Sequence, residues 1–143
     1  MSTNDDRSTV LLSVRPRFAH GLLDGTKTVE IRRGRAHIEP GSTCLLYSSS
    51  PERALVGVVE VDNAHVGTPS TLWDRWGKLT GLARCEFDDY LRGRHEATAI
   101  VIRSARRFSA PVPLDELRGR QDGFVTPQSY RFVAEQERRA LLA

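Results

Sequence analysis

The segment Gly25-Thr26-Lys27-Thr28-Val29-Glu30-Ile31-Arg32 brings an ammonium, a carboxylate and a guanidinium close together in the chain. Its apolar residues alternate as in a strand, so Val29 and Ile31 point toward a core, while Thr28, Glu30 and Arg32 share the other face. A point cation and a planar fork of donors match phosphate oxygens. A carboxylate accepts from base amino groups or a 2′-hydroxyl, so the trio suits a nucleotide better than an apolar ligand. The same groups offer proton-transfer chemistry at a 2′-hydroxyl, with Lys27 and Glu30 as acid and base and Tyr47 as a further acid. The competing reading is a solvated ion pair between Glu30 and Arg32, worth about 0–1 kcal/mol.

Lys27 has a second peculiarity. The chain holds 21 basic residues, of which only Lys27 and Lys78 are lysine. Arginine and lysine differ in geometry and in how readily they titrate, so a lysine kept among arginines points to a compact ammonium at that position. Chance retention is the alternative.

A second cluster is Thr126-Pro127-Gln128-Ser129-Tyr130. Read as the start of a helix running to about Leu142, it presents unpaired N–H groups together with Gln128 and Ser129, a place where a phosphate could dock. Equally, Thr126 simply caps its own helix. Tyr130 and Phe132 offer a stacking surface for a splayed base, or a ring for the core. Tyr47, beside Ser48 and Ser49, is likewise either a base platform or a core lid.

The elements that must position these groups follow from pattern. Thr9 to Val14 is a β-branched, apolar run and reads as a buried first strand. Pro16 opens a helix whose apolar face holds Phe18, Ala19, Leu22 and Leu23, and Gly25 closes it. After the strand Thr28 to Arg32, Pro40-Gly41 marks a turn before the strand Cys44 to Tyr47, and Arg53 to Val61 forms a long strand bent at Gly57. Thr68-Pro69-Ser70 opens a helix with Trp73 and Trp76 on one side, and Cys85 to Leu91 forms another. Ala97 to Arg103 is a strand continuing toward Phe108, followed by a helical turn near Leu114 to Leu117. Helices do not alternate regularly with strands, which favours an α+β domain on a small curled or barrel-like sheet.

Composition bounds the rest. With 143 residues, 39% hydrophobic and 27% charged, the chain is expected to form one domain over residues 9–143, after a polar, flexible stretch at 1–8. No apolar run reaches the roughly 20 residues of a membrane span, and the first residues lack a signal-peptide layout, so a cytoplasmic location is expected. The net charge of +3 permits a polyanionic partner. Cys44 and Cys85 form no CxxC, and His20, His37, His65 and His95 are dispersed, so neither a metal nor a cofactor is expected. Cys44 reads as a small buried thiol.

The pattern GxKxxExR resembles the ASCH family of the PUA-like superfamily. Further marks lie in family order: Leu11 to Pro16 (LLSVRP), Tyr47 to Pro51, Trp73 with Trp76, Phe87 to Gly93 (FDDYLRG), and Pro127 to Phe132. The resemblance implies a PUA-like small β-barrel of five or six strands flanked by helices, with a polar cleft beside the GxKxxExR strand. It also implies nucleic-acid binding, some members being similar to ribonucleases or to amidohydrolases of modified nucleosides. The amidohydrolase pattern departs here. It needs a threonine three residues after the lysine, where Glu30 stands, and an acid before the helix near Cys85, whereas none lies between Asp74 and Glu86.

The reading reached is an ASCH domain that binds nucleic acid, RNA ahead of DNA, with no membrane role. Its expected contacts are Arg15, Arg17, Lys27, Glu30, Arg32, Arg33, Ser48, Ser49, Gln128, Ser129, Tyr130 and Arg131, with Arg35, Arg106 and Arg107 also flanking the cleft. The alternative is a metal-independent ribonuclease using Lys27, Glu30 and Tyr47. The oligomeric state is left open.

Overall fold

The first strand, β1 (Thr9–Val14), is buried along most of its length, as its unbroken β-branched and leucine run requires. A computed structural model describes residues 9–143 of the chain. Pro16 then starts α1 (Pro16–Asp24), and Gly25, at φ 85°, ends it with a left-handed cap whose N–H donates to Gly21 O. Next come β2 (Val29–Arg33), β3 (Thr43–Ser48) and β4 (Ala54–Gly67). Helix α2 (Pro69–Trp76), capped by the Thr68 hydroxyl, leads through a 3₁₀ turn at Gly77–Leu79 to α3 (Arg84–Tyr90). The chain continues with β5 (Ala97–Pro113), α4 (Leu114–Arg120), β6 (Tyr130–Val133) and α5 (Glu135–Leu141).

These strands make one six-stranded sheet in the order β2-β5-β4-β3-β1-β6. β1 and β3 run parallel and every other pair is antiparallel. The sheet curls into an α+β half-barrel flanked by helices. Alternation along the strands sorts the side chains into separate layers. Val10, Leu12, Cys44 and Leu46 face the concave interior with Ala19 and Leu22 of α1. Leu11, Leu45 and Tyr47 face the opposite way, under Leu114, Leu117 and Leu141 of α4 and α5. Val29 and Ile31 pack against Leu72, Trp76 and Phe87 of α2 and α3. Trp76 and Trp73 therefore serve the core, and Trp76 also stacks on His65 at 4.6 Å.

Two sequence expectations need correction. The helix expected from Thr126 to Leu142 is divided: residues 127–129 are irregular, Tyr130–Val133 is a strand, and only Glu135–Leu141 is helical. Tyr-Arg-Phe-Val is a β-forming run, and antiparallel pairing of Tyr130 with Leu12 through Val133 with Thr9 completes the sheet. The helix N-terminus at Thr126 accordingly does not exist. The flexible stretch expected at residues 1–8 lies outside the described residues. β4 and β5 also run longer than their apolar cores suggest, because each pairs with the other to its far end.

Candidate functional site

A cleft of about 420 Å³ opens where the end of β1, the start of α1, β2 and α3 meet. Both faces of β2 are covered, so Glu30 and Arg32 turn into the floor of this cleft, not into solvent. Lys27, Glu30 and Arg32 are 4%, 5% and 8% exposed, which excludes the solvated ion pair. Lys27 Nζ donates to the Thr80 carbonyl at 2.5 Å and lies 3.2 Å from Glu30 Oε1. Glu30 Oε2 accepts from Arg32 Nη1 at 2.8 Å. Arg32 also reaches the Ser13 carbonyl, and its Nη2 donates to Ser129 Oγ at 3.0 Å. Lys27 and Arg32 thus hold the two oxygens of one carboxylate, with an excess of one positive charge in the buried trio.

Two glycines let the Lys27 stem reach this place. A Cβ at Gly21 would stand 3.3 Å from Lys27 Cβ, and one at Gly81, where φ is +72°, would stand 3.4 Å from the same atom. The ammonium then lies 4.9 Å from the Phe18 ring centroid, a cation–π contact. Thr80, fully buried and bonded through Oγ1 to Gly77 O, fixes the carbonyl that receives Lys27.

The rim is richer in arginine. Arg15 is exposed, Arg17 Nη1 bonds Glu86 Oε2 at 2.7 Å, and Arg33 Nε donates to the Tyr90 carbonyl at 3.0 Å. The Arg33 guanidinium stacks 4.3 Å from the Tyr90 ring centroid. The Arg17 hydrogen bond, joined by one from the Ala83 N–H, pulls the Glu86 carboxyl down to about 2. Ser49 and Gln128 complete the wall.

The structure therefore gathers Arg15, Arg17, Lys27, Glu30, Arg32, Arg33, Ser49 and Gln128 around one cleft, with Ser129 bonded to its floor. Others are placed elsewhere. Tyr47 packs in the layer beneath α4, on the opposite side of β3 from Cys44 and Leu46, and burial raises its phenol. Ser48 is fully buried and does not line the cleft. Tyr130 packs against the interior, its hydroxyl accepting from the His37 N–H. Arg131 is committed to Glu137 through two hydrogen bonds and to Val125 O through Nε. Cys44 lies inside the half-barrel, and burial pushes its thiol up to about 12. Sequence reasoning did not place Ser13, Phe18, Glu86 and Tyr90 at the cleft. Only Glu86 carried a local signal, as an acid in the first turn of a helix. Among the described residues no group of His, Cys, Asp and Glu is arranged to hold a metal.

The family model described as ASCH domain matches residues 12–111. A protein from Zymomonas mobilis described as an ASCH domain-containing ribonuclease is 29% identical over 143 residues, covering all of this chain and 96% of its own. The crystal structure of ASCH from Zymomonas mobilis superposes with a TM-score of 0.90 at 29% identity, covering 96% of this chain and 95% of that one. A human protein, THYN1, solved in complex with 5-methylcytosine-containing DNA, shares the fold at a TM-score of 0.58 and 14% identity, covering 94% and 95%.

Proposed function

The chain belongs to the ASCH domain family, and we propose that its cleft binds RNA as a single strand. The observation that carries this reading is the convergence of Arg15, Arg17, Lys27, Arg32 and Arg33 on one pocket whose only lining acids among the described residues are Glu30 and Glu86. Phosphate contacts from the rim arginines supply affinity, and their geometry suits oxyanions. The buried trio plays a different part. Its polar atoms are largely used within the protein, so it sets a rigid, positively charged floor, and Phe18 and Tyr90 offer ring surface for a base.

A second reading, ribonuclease action, is favoured by the Zymomonas mobilis relative, described as a ribonuclease and similar along the whole chain. Crystal structures of that protein include a serine-to-alanine and a tyrosine-to-phenylalanine variant. In the present chain Glu30 is a poor base by geometry, since two cations already occupy its oxygens. Lys27 is better suited to stabilise charge developing on a phosphate. Cleavage through a 2′-hydroxyl needs no metal.

One experiment tests both readings. Labelled single-stranded RNA, single-stranded DNA and duplex are incubated with the protein in EDTA and scored for retention and for breakage, with Arg17→Gln and Lys27→Met alongside. The expected result is retention of single-stranded RNA that weakens steeply with salt and falls in Arg17→Gln. Breakage in EDTA that disappears in Lys27→Met, with retention kept, establishes the ribonuclease. Failure to retain any strand at low salt overturns the binding assignment.

A further inference from the structure

Beyond the cleft, β5 carries charge that the site does not use. β2 pairs with β5 only from Ala97 to Val101, and the Ile102 N–H donates to Thr28 O at 3.0 Å. From Arg103 onward β5 has, among the described residues, a partner strand on one side alone, β4. Residues 103–107 are all exposed, and the run from Arg103 to Pro113 contains Arg103, Arg106 and Arg107 and no acid.

Neighbouring carboxylates leave most of this charge standing. Arg103 lies 3.7 Å from Asp62, with both side chains more than half exposed, so solvent screens the pair. Arg107 Nη1 donates to His20 Nδ1 at 2.7 Å, a lone pair and not a charge, while His20 Nε2 meets Glu52 Oε1 at 2.7 Å. Asp24 feels Arg107 only at a distance. Arg106 lies 5.6 Å from the Phe108 ring centroid and makes no ion pair among the described residues.

Helix α1 links this edge to the rim of the cleft. Arg17, His20 and Asp24 fall at i, i+3 and i+7 of α1, one stripe of the helix. Arg17 is on the rim, and His20, one turn away, is the residue that Arg107 holds. We propose that the β5 edge, from Arg107 to Arg103, is a second contact surface that takes the phosphodiester backbone of the nucleotides flanking the one in the cleft. The inference rests on the reading of the cleft as an RNA site. Arginines on an unpaired edge also discourage strand-to-strand association. Their link through His20 to the rim is what assigns them to a bound polyanion.

Binding of two labelled single-stranded RNAs, about three and about twelve nucleotides long, tests the proposal by fluorescence anisotropy across a salt series. For the longer RNA, Arg106→Gln/Arg107→Gln is expected to lower affinity about tenfold at low salt. The slope of log K against log salt should fall by about 1.4, two phosphate contacts on a single strand. Binding of the shorter RNA stays unchanged, and Arg106→Lys/Arg107→Lys keeps the slope. Wild-type affinity and slope in the glutamine variant overturn the proposal, as does a variant that self-associates in sedimentation while binding normally. If Arg15→Gln/Arg17→Gln weakens both RNAs and the β5 variant weakens neither, only the edge is refuted. If the wild type binds neither RNA, the cleft reading itself has failed.

Discussion

Arg17 and Glu86 meet at 2.7 Å across the mouth of the cleft and tie α1 to α3. The same carboxylate accepts from the Ala83 N–H at 2.9 Å, so it closes the first turn of α3 while it holds the arginine. Its folded-state acidity, near 2, lies below the roughly 4.3 of an unperturbed glutamate. A depressed carboxylate stabilises the fold above its unfolded value and loses that contribution as pH falls through the folded one. The pair is therefore complete above about pH 4.3 and lost toward pH 2. An NMR titration of the Glu86 side-chain carbonyl is expected to show a midpoint near 2; a midpoint in the ordinary glutamate range means that the pair is absent in solution.

Glu86 occupies the arginine that a phosphate would use. Glu86→Gln frees Arg17, and single-stranded RNA binding should tighten by up to about fivefold, the range of an exposed ion pair. Anisotropy at low salt reads the change. Weaker binding in this variant would show that Glu86 itself touches the ligand.

The buried trio makes an asymmetric prediction. Lys27→Met leaves Glu30 with Arg32, whereas Glu30→Gln leaves two buried cations facing each other. Removing the shared partner of a buried ion pair costs about 3–5 kcal/mol, so Glu30→Gln should lie in that range and Lys27→Met below it. Urea unfolding followed by circular dichroism ranks them. The reverse order would mean that the carboxylate is not the hub of the cluster.

The cysteines should divide in their reactivity. Cys44 is fully buried with its thiol pushed up to about 12, and Cys85 is exposed. A thiolate reagent at neutral pH is expected to modify Cys85 promptly and Cys44 only after denaturation. Equal rates would contradict the closed interior.

Gly57 allows β4 and β5 to approach where their register shifts. A Cβ there would stand 2.6 Å from both the Arg106 carbonyl and Leu23 Cδ2. Gly57→Ala should cost about 1–3 kcal/mol by overpacking, while Gly119→Ala, with nothing within 4 Å, should be neutral or slightly stabilising. Thermal unfolding of the two variants checks the contrast.

Local signals made much of this fold legible. Pro16 and Gly25 bracket α1, Thr68 caps α2, and the alternation of Val29 and Ile31 gives β2. β6 was not legible, because Thr126-Pro127 imitates a helix start and nothing local to Tyr130 reveals its partner Leu12, far away in the chain. Tyr47 could have been assigned to its layer by alternation alone, since Cys44 and Leu46 take the opposite face of β3. The Lys27, Glu30 and Arg32 trio was found by residue type, but its burial was not. A charged strand face reads as solvated until curvature brings Ser13, Thr80 and Ser129 over it. Glu86 and Tyr90 reach the cleft only through the packing of α3, which no spacing in the chain encodes.

Because β6 supplies the outer neighbour of β1, β1 waits during synthesis for the strand of this sheet that is made after the others. At ordinary elongation rates that interval is on the order of ten seconds. Until then the Val10-Leu11-Leu12 edge lacks the neighbour that covers it in the finished sheet, and an apolar edge without a partner is a template for pairing with other chains.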